Sequence, residues 1–187
     1  MIKYEVIDNF LSDSDFTELK NAILPGSTGQ GNLGWVYMNW ANQEYDEPSH
    51  LKKVTDIELL NPIHNWFFTN LLSFSSLYIP HPPFLNVLLD KIDPLAVYRI
   101  QANFTVQQEK RGRDLFHMDH QLAPSMITSI FYMNTTNGST ILEDGTEIEC
   151  RENRLVSYPY NTYHAGVRCT DQLYRIVINL NYFLDKK

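Results

Sequence analysis

From residue 96 onward the chain reads as a succession of short strand-like runs, and this series constrains the fold more than any other feature. The runs cover residues 96–106, 126–133, 139–142, 146–148, 155–158, 163–167 and 173–183, rich in β-branched and aromatic residues. Asn137-Gly138, Asp144-Gly145 and Asn153 separate them, and Asp-Gly is a dipeptide that closes hairpins. Many short strands at this spacing predict an antiparallel sandwich or barrel, a class that includes jelly rolls and cupins.

The first half reads differently. Residues 4–7 suggest a short strand, and Ser12 an N-cap with Asp13 and Asp15 in the first helical turn. Phe16, Leu19, Ala22 and Ile23 fall on one helical face, and Pro25-Gly26 ends it. A Gly-, Ser- and Asn-rich loop over 26–34 leads to an aromatic strand-like segment, 34–40. Trp35 and Trp40 read as core packing there, with a lid over 26–45 as the minority view. Ile63, Trp66, Phe67 and Leu71 predict a helix over 59–72, opened by Asn61-Pro62, and a second helix follows at 84–89. His64 and His81 lack partners at metal-type spacing. The expectation is one α+β, mainly β domain over 1–187. In it, a helical N-terminal part (1–93) packs on one face of a β core (94–187).

Composition narrows the class. The chain has 187 residues, 43% of them hydrophobic, which suits one well-buried domain. A net charge of −7 gives no electrostatic case for nucleic acid. No apolar run approaches the ~18 residues of a membrane span, and Met1 to Val6 lack a signal-peptide core. A soluble, cytoplasmic protein is expected. Cys150 and Cys169 have no Cys-x-x-Cys spacing and read as reduced, buried thiols. The local basic run Lys110-Arg111-Gly112-Arg113 reads as a solvated loop, with a substrate-facing patch as the alternative.

One stretch carries chemistry, Phe116-His117-Met118-Asp119-His120. On a strand, His117 and Asp119 leave the same face. His164, in Tyr163-His164-Ala165-Gly166, is a third donor. Two imidazoles and one carboxylate with open positions suit non-haem Fe(II). His120 would point away from Asp119 and reads as a residue beside the site. Eleven positions beyond His164, Arg175 lies inside an apolar strand. A buried guanidinium needs an anion, either an internal Asp or the carboxylate of a bound co-substrate.

With these residues in view, the chain from about residue 96 resembles the Fe(II)- and 2-oxoglutarate-dependent dioxygenases, in their prolyl 4-hydroxylase-like branch. The pattern His-x-Asp…His…Arg is met by His117, Asp119, His164 and Arg175. The resemblance implies a double-stranded β-helix, a jelly roll of the cupin kind. It makes His117, Asp119 and His164 the metal ligands, with Arg175 also in the catalytic set. Arg175 and Tyr132, the latter in Ile130-Phe131-Tyr132-Met133-Asn134, then meet the far carboxylate of 2-oxoglutarate. Asn179 matches a small polar position near the co-substrate. Gly138-Ser139-Thr140 and the stretch from Ser157-Tyr158-Pro159 to Gly166 are similar to further family elements. Phe104 stands where the family commonly has tyrosine, so a hydroxyl contact is either missing or replaced by Asn103 or Gln101. The implied cofactors are Fe(II), 2-oxoglutarate and O2, with ascorbate as an accessory reductant. The implied reaction hydroxylates an aliphatic C–H and releases succinate and CO2. Its leading substrate is a prolyl residue in a peptide or protein. A free amino acid, another small molecule or a nucleobase is the alternative target, and a non-catalytic jelly-roll binding module the alternative class. No membrane or nucleic-acid partner is expected, and the cysteines are assigned no role.

Overall fold

The computed structural model describes residues 3–24, 33–39, 47–60, 66–74, 80–119 and 125–184. Ten strands and two α-helices form there. In chain order they are β1 (Glu5–Ile7), α1 (Asp13–Ile23), β2 (Val36–Asn39), β3 (Trp66–Phe74) and α2 (Asn86–Ile92). Then follow β4 (Ala96–Val106), β5 (Met126–Tyr132), β6 (Ser139–Leu142), β7 (Glu147–Glu149), β8 (Arg154–Pro159), β9 (His164–Val167) and β10 (Tyr174–Phe183). No helix among the described residues is long and apolar enough to cross a membrane.

The strands make two antiparallel sheets. The larger has seven strands in the order β1-β8-β5-β10-β4-β3-β2, and the smaller has three in the order β7-β6-β9. This is the mainly β, jelly-roll arrangement that the strand series predicts. Period-two alternation sorts the large sheet's side chains. On β10, Ile176, Ile178, Leu180 and Tyr182 face α1 and α2, joining Phe16, Leu19, Ile23, Leu85 and Leu88 in one core. The intervening Val177 packs with Ile130, Val156 and Tyr158 of the same sheet against Leu142 and Ile148 of the small sheet. Helices, large sheet and small sheet therefore form three layers. Truncating a fully buried leucine such as Leu19, 0% exposed, to alanine costs about 2–5 kcal/mol.

The helix ends obey local chemistry. Ser12 Oγ accepts from Asp15 N at 3.2 Å, and acids Asp13 and Asp15 occupy the first turn. Leu24 is extended (φ −75°, ψ 143°), as a residue before a proline is driven to be. Asn153 holds a left-handed φ of 58°. Its side chain accepts from Leu11 N at 2.8 Å and donates to Leu11 O at 2.9 Å, fixing α1 to the β5–β8 side of the sheet.

One expected element is corrected. Residues 66–74 form β3, not part of a helix over 59–72. Leu71 is exposed while Leu72 is buried, the alternation of a strand. A short aromatic-rich run fits both periods, and here pairing with β4 decides, with Phe68 edge-on to Phe104 at 5.9 Å. The N-terminal half thus supplies three strands of the large sheet, β1, β2 and β3. Asn61, Pro62, Ile63, His64, Trp40 and most of 26–45 lie outside the described residues. Trp35 packs on the helix-side core, 5.4 Å from Phe104.

Candidate metal centre

His117 and Asp119 do not ride on a strand. Their segment meets β9 through two isolated antiparallel bridges, Arg113 with Val167 and His117 with His164. His117 N donates to His164 O at 3.0 Å and His164 N to His117 O at 2.9 Å. Paired this way, the two imidazoles stand side by side, ring centroids 4.5 Å apart. The two histidines converge through the His117–His164 bridge rather than from the shared face of a strand. His120 lies outside the described residues.

Both rings are oriented alike. His117 Nδ1 lies 3.0 Å from Leu115 O, and His164 Nδ1 lies 3.3 Å from Thr162 O. Each Nδ1–H donates to a carbonyl of its own backbone, which leaves the Nε2 lone pair for a metal. Asp119 completes the set, with Oδ1 3.9 Å from His164 Nε2. One donor atom from each of His117, Asp119 and His164 falls within 4.8 Å of the others.

Electrostatics prepares these groups for a cation. Burial pushes the His164 imidazole down to about 4, with His117 adding to the shift and Asp119 opposing it. His164 is therefore neutral at pH 7. Burial raises Asp119, but the neighbouring imidazoles, the Arg99 guanidinium and a hydrogen bond from Asn181 outweigh it and hold the carboxyl well below its usual range. A neutral His164 imidazole and an ionised carboxylate, with the His117 ring as third donor, fit a divalent metal.

A cavity of about 100 Å³ adjoins this centre, with His117, His164, Asn103, Asn179 and Arg175 in its wall. Arg175 lies six residues along β10 from Asn181, roughly 20 Å of strand, while Asn181 touches Asp119. The guanidinium therefore enters from the far side of the cavity. It is 6% exposed and donates through Nη2 to Ser139 O at 3.2 Å and Thr140 Oγ1 at 3.3 Å. Its Nε is buried without a protein partner, as is Asn179 Oδ1. Asp114 acts on it only at longer range and is itself paired with Arg168. Among the described residues no carboxylate forms an ion pair with Arg175, so the guanidinium suits an anionic ligand.

Tyr132 sits behind the cavity wall. Its hydroxyl donates to Thr140 Oγ1 at 2.8 Å, and Arg175 lies over its ring at 5.6 Å. Burial pushes its phenol up to about 12, so it stays a donor. Thr140 is the group that lines the cavity. Asn103 Oδ1 receives Thr69 Oγ1 at 3.1 Å and Gln101 Nε2 at 2.9 Å. Its acceptor is thereby engaged and its amide N–H groups are left to face the cavity. Phe104, next along β4, turns to the helix side, where it stacks on Tyr174 at 5.3 Å. A tyrosine hydroxyl at 104 would not reach this cavity.

The basic loop is solvated at Lys110 and buried at Arg113. Lys110 pairs with Glu58 at 2.6 Å, Arg111 with Glu147, and Arg113 with Glu47 at 2.6 Å. Each charge has an acid, so the loop is not an open anion-binding patch. Arg113 and Glu47 are buried, and Glu47 Oε1 also accepts from Phe116 N at 2.9 Å. Cys150 and Cys169 are free and buried, as expected.

Sequence reasoning named Thr140 only within a family element and missed Thr105 in the wall, the Asp114–Arg168 pair (3.0 Å) beside them, and Arg99 and Asn181 around Asp119. Arg99 and Asn181 carried a usable signal: polar residues on the inward parity of strands whose other parity is apolar.

No family model matches the sequence, and no curated protein matches it. Solved structures do match in shape. The viral collagen prolyl hydroxylase of Paramecium bursaria Chlorella virus-1, as its 2-oxoglutarate complex, superposes with a TM-score of 0.58 at 16% identity, over 98% of this chain and 96% of that one. The Trichoplax adhaerens prolyl hydroxylase, in complex with a hypoxia-inducible-factor peptide fragment, gives 0.60 at 15%, over 96% and 83%. The non-haem α-ketoglutarate-dependent carbocyclase SnoK from nogalamycin biosynthesis gives 0.61 at 12%, over 98% and 80%. Along nearly its whole length, this chain has the fold of these 2-oxoglutarate-dependent enzymes.

Proposed function

We propose that this chain is an Fe(II)- and 2-oxoglutarate-dependent dioxygenase, one domain over 1–187, that hydroxylates an aliphatic C–H. The observation that carries the reading is the pairing of two features across one small cavity. On one side are the His117, Asp119 and His164 donors within 4.8 Å of one another. On the other is the buried Arg175 guanidinium with an unpartnered Nε. Bound there, iron and 2-oxoglutarate together would activate O2, with succinate, CO2 and a hydroxylated product as the outcome.

The chain's own residues supply geometry and charge. His117, Asp119 and His164 would hold the metal, and the backbone carbonyls of Leu115 and Thr162 fix the two rings. Arg175 takes the far carboxylate of the co-substrate, helped by Thr140, which Tyr132 holds in place. Asn103 and Asn179 offer amide groups between the two ends. Ile130 and Val177 give the wall an apolar stretch that excludes water.

A prolyl residue in a peptide or protein is the leading substrate. Two of the structures that share the fold are prolyl hydroxylases, one of them with a peptide bound. The site of action proposed is the cytoplasm. The test is 2-oxoglutarate consumption by the iron-loaded chain, followed by a mass-spectrometric search for +16 Da products on proline-containing peptides and free amino acids. Retention of Zn2+ with no 2-oxoglutarate consumption under any condition would sink the reading.

A further inference from the structure

Asp119 carries more than its place among the three donors. Its Oδ1, the oxygen turned toward His164, lies 3.3 Å from Arg99 Nη2. Its Oδ2 accepts from Asn181 Nδ2 at 3.0 Å. Arg99 and Asn181 are joined in turn, Arg99 Nε donating to Asn181 Oδ1 at 3.0 Å. Asn181 Nδ2 also donates to Thr128 Oγ1 at 3.0 Å. These three residues are register neighbours on adjacent strands, Arg99 on β4, Asn181 on β10 and Thr128 on β5. The ring Arg99–Asn181–Asp119 is closed, so the cation cannot swing away from the carboxylate.

Two consequences follow. With Oδ2 taken by Asn181, Asp119 offers a metal one oxygen and not two. With Arg99 fixed beside Oδ1, the carboxylate's −1 is cancelled by the guanidinium, and the carboxylate brings the donor set no net negative charge. Such a set holds a divalent cation less tightly than an anionic one. It also leaves the bound cation's full charge facing the cavity, where a dicarboxylate would bring two negative charges.

We infer that Arg99 is a positioning residue that lowers the centre's affinity for its metal and raises the metal-loaded centre's affinity for an anionic co-substrate. The inference rests on the proposed function for the identity of that co-substrate, but its first measurement needs the metal alone.

The test titrates Mn2+ into the metal-free chain by calorimetry, then 2-oxoglutarate into the Mn2+-loaded chain. Arg99→Gln keeps a donor toward Asn181 and removes the charge. The expected result is a Mn2+ Kd lower by on the order of tenfold, with a 2-oxoglutarate Kd higher by a similar factor. Arg99→Lys, which keeps the charge, should retain the wild-type Mn2+ affinity. A merely structural Arg99 predicts the opposite sign, weaker Mn2+ binding in both variants, and that result, or an unchanged Kd in Arg99→Gln, overturns the inference. Failure of the functional reading looks different: the wild-type chain itself would show no Mn2+ binding sensitive to His117→Ala.

Discussion

The two sides of the candidate site are built by different means. His164, Arg175 and Asn179 belong to strands, and a hydrogen-bonded ladder sets their positions. His117 and Asp119 belong to a segment outside the named strands, held by isolated bridges at Arg113 and His117 and by side-chain contacts. Its upstream anchor is the buried Arg113–Glu47 pair, in which Arg113 donates two hydrogen bonds, at 2.6 and 3.1 Å. Arg113 also lies over the Phe116 ring at 5.0 Å. Its downstream anchor is the Arg99–Asn181 grip on Asp119. A ladder spreads positional control over many consecutive bonds, while the segment has only scattered backbone bridges and leans on a few charged groups. The segment is therefore where single substitutions should do disproportionate harm.

The largest effect tests the ligands themselves. His117→Ala should abolish both Mn2+ binding by calorimetry and 2-oxoglutarate turnover, with the sheets intact by circular dichroism; retained turnover would remove the centre from the mechanism.

Next comes the anchor. Glu47→Ala strands a buried guanidinium and removes the acceptor of Phe116 N, and should cost about 3–5 kcal/mol in urea unfolding. The double change Glu47→Leu with Arg113→Met should recover most of that stability but not the metal affinity, since Phe116 N still lacks its acceptor. Full recovery of both would show that the pair does not position His117.

Acid comes third. His164 is held at about 4 in the folded chain against about 6.5 when unfolded, so the unfolded state binds more protons between those values. Metal-free stability should be unaffected by this group above pH 6.5 and fall by about 3 kcal/mol as pH drops to 4. Below that, protonation of Asp119 removes more. Chemical denaturation at a series of pH values checks the slope, and a flat profile across pH 4–6.5 contradicts it.

On the ladder-built side, Arg175→Gln should raise the 2-oxoglutarate KM roughly 10- to 100-fold, the worth of a charged hydrogen-bonded contact. Its effect on Mn2+ binding should be slight, which separates the two sides of the site. The smallest effect is expected at the surface: Lys110→Glu should leave 2-oxoglutarate turnover unchanged, because that lysine is exposed and already opposed by Glu58.

Much of this was legible in the sequence, for local reasons. Residues 96–106 and 139–142 were readable to their ends as β4 and β6. Alternation and turn residues are written within such stretches, and Gly145, at φ 85°, sits where the Asp-Gly signal puts it. The four residues His117, Asp119, His164 and Arg175 were recognisable from order and type. β3 was not, because an aromatic run fits two periods and its partner strand decides. Parity could mark Arg99 and Asn181 as inward polar residues, but that they meet at Asp119, and that Glu47 meets Arg113, was illegible for a related reason. Arg99 and Asn181 meet only through strand register, and Glu47 and Arg113 are 66 residues apart. Phe104 shows the reverse case: it looked like a lost contact, yet strand parity turns it from the cavity and presents Asn103.

The sheet order also bears on how the molecule is assembled during synthesis. β10 lies between β5 and β4, and it is the last of the described strands to be translated. Until it emerges, β1-β8-β5 and β4-β3-β2 are two separate patches with no backbone ladder between them. Arg175, Asn179 and Asn181 arrive with that same strand. Closure of the large sheet and completion of the site are thus a single late event, made from contacts far apart in sequence, the kind that form slowly. A ribosome-bound chain lacking β10 has His117, Asp119 and His164 but neither the sheet that backs them nor the guanidinium opposite.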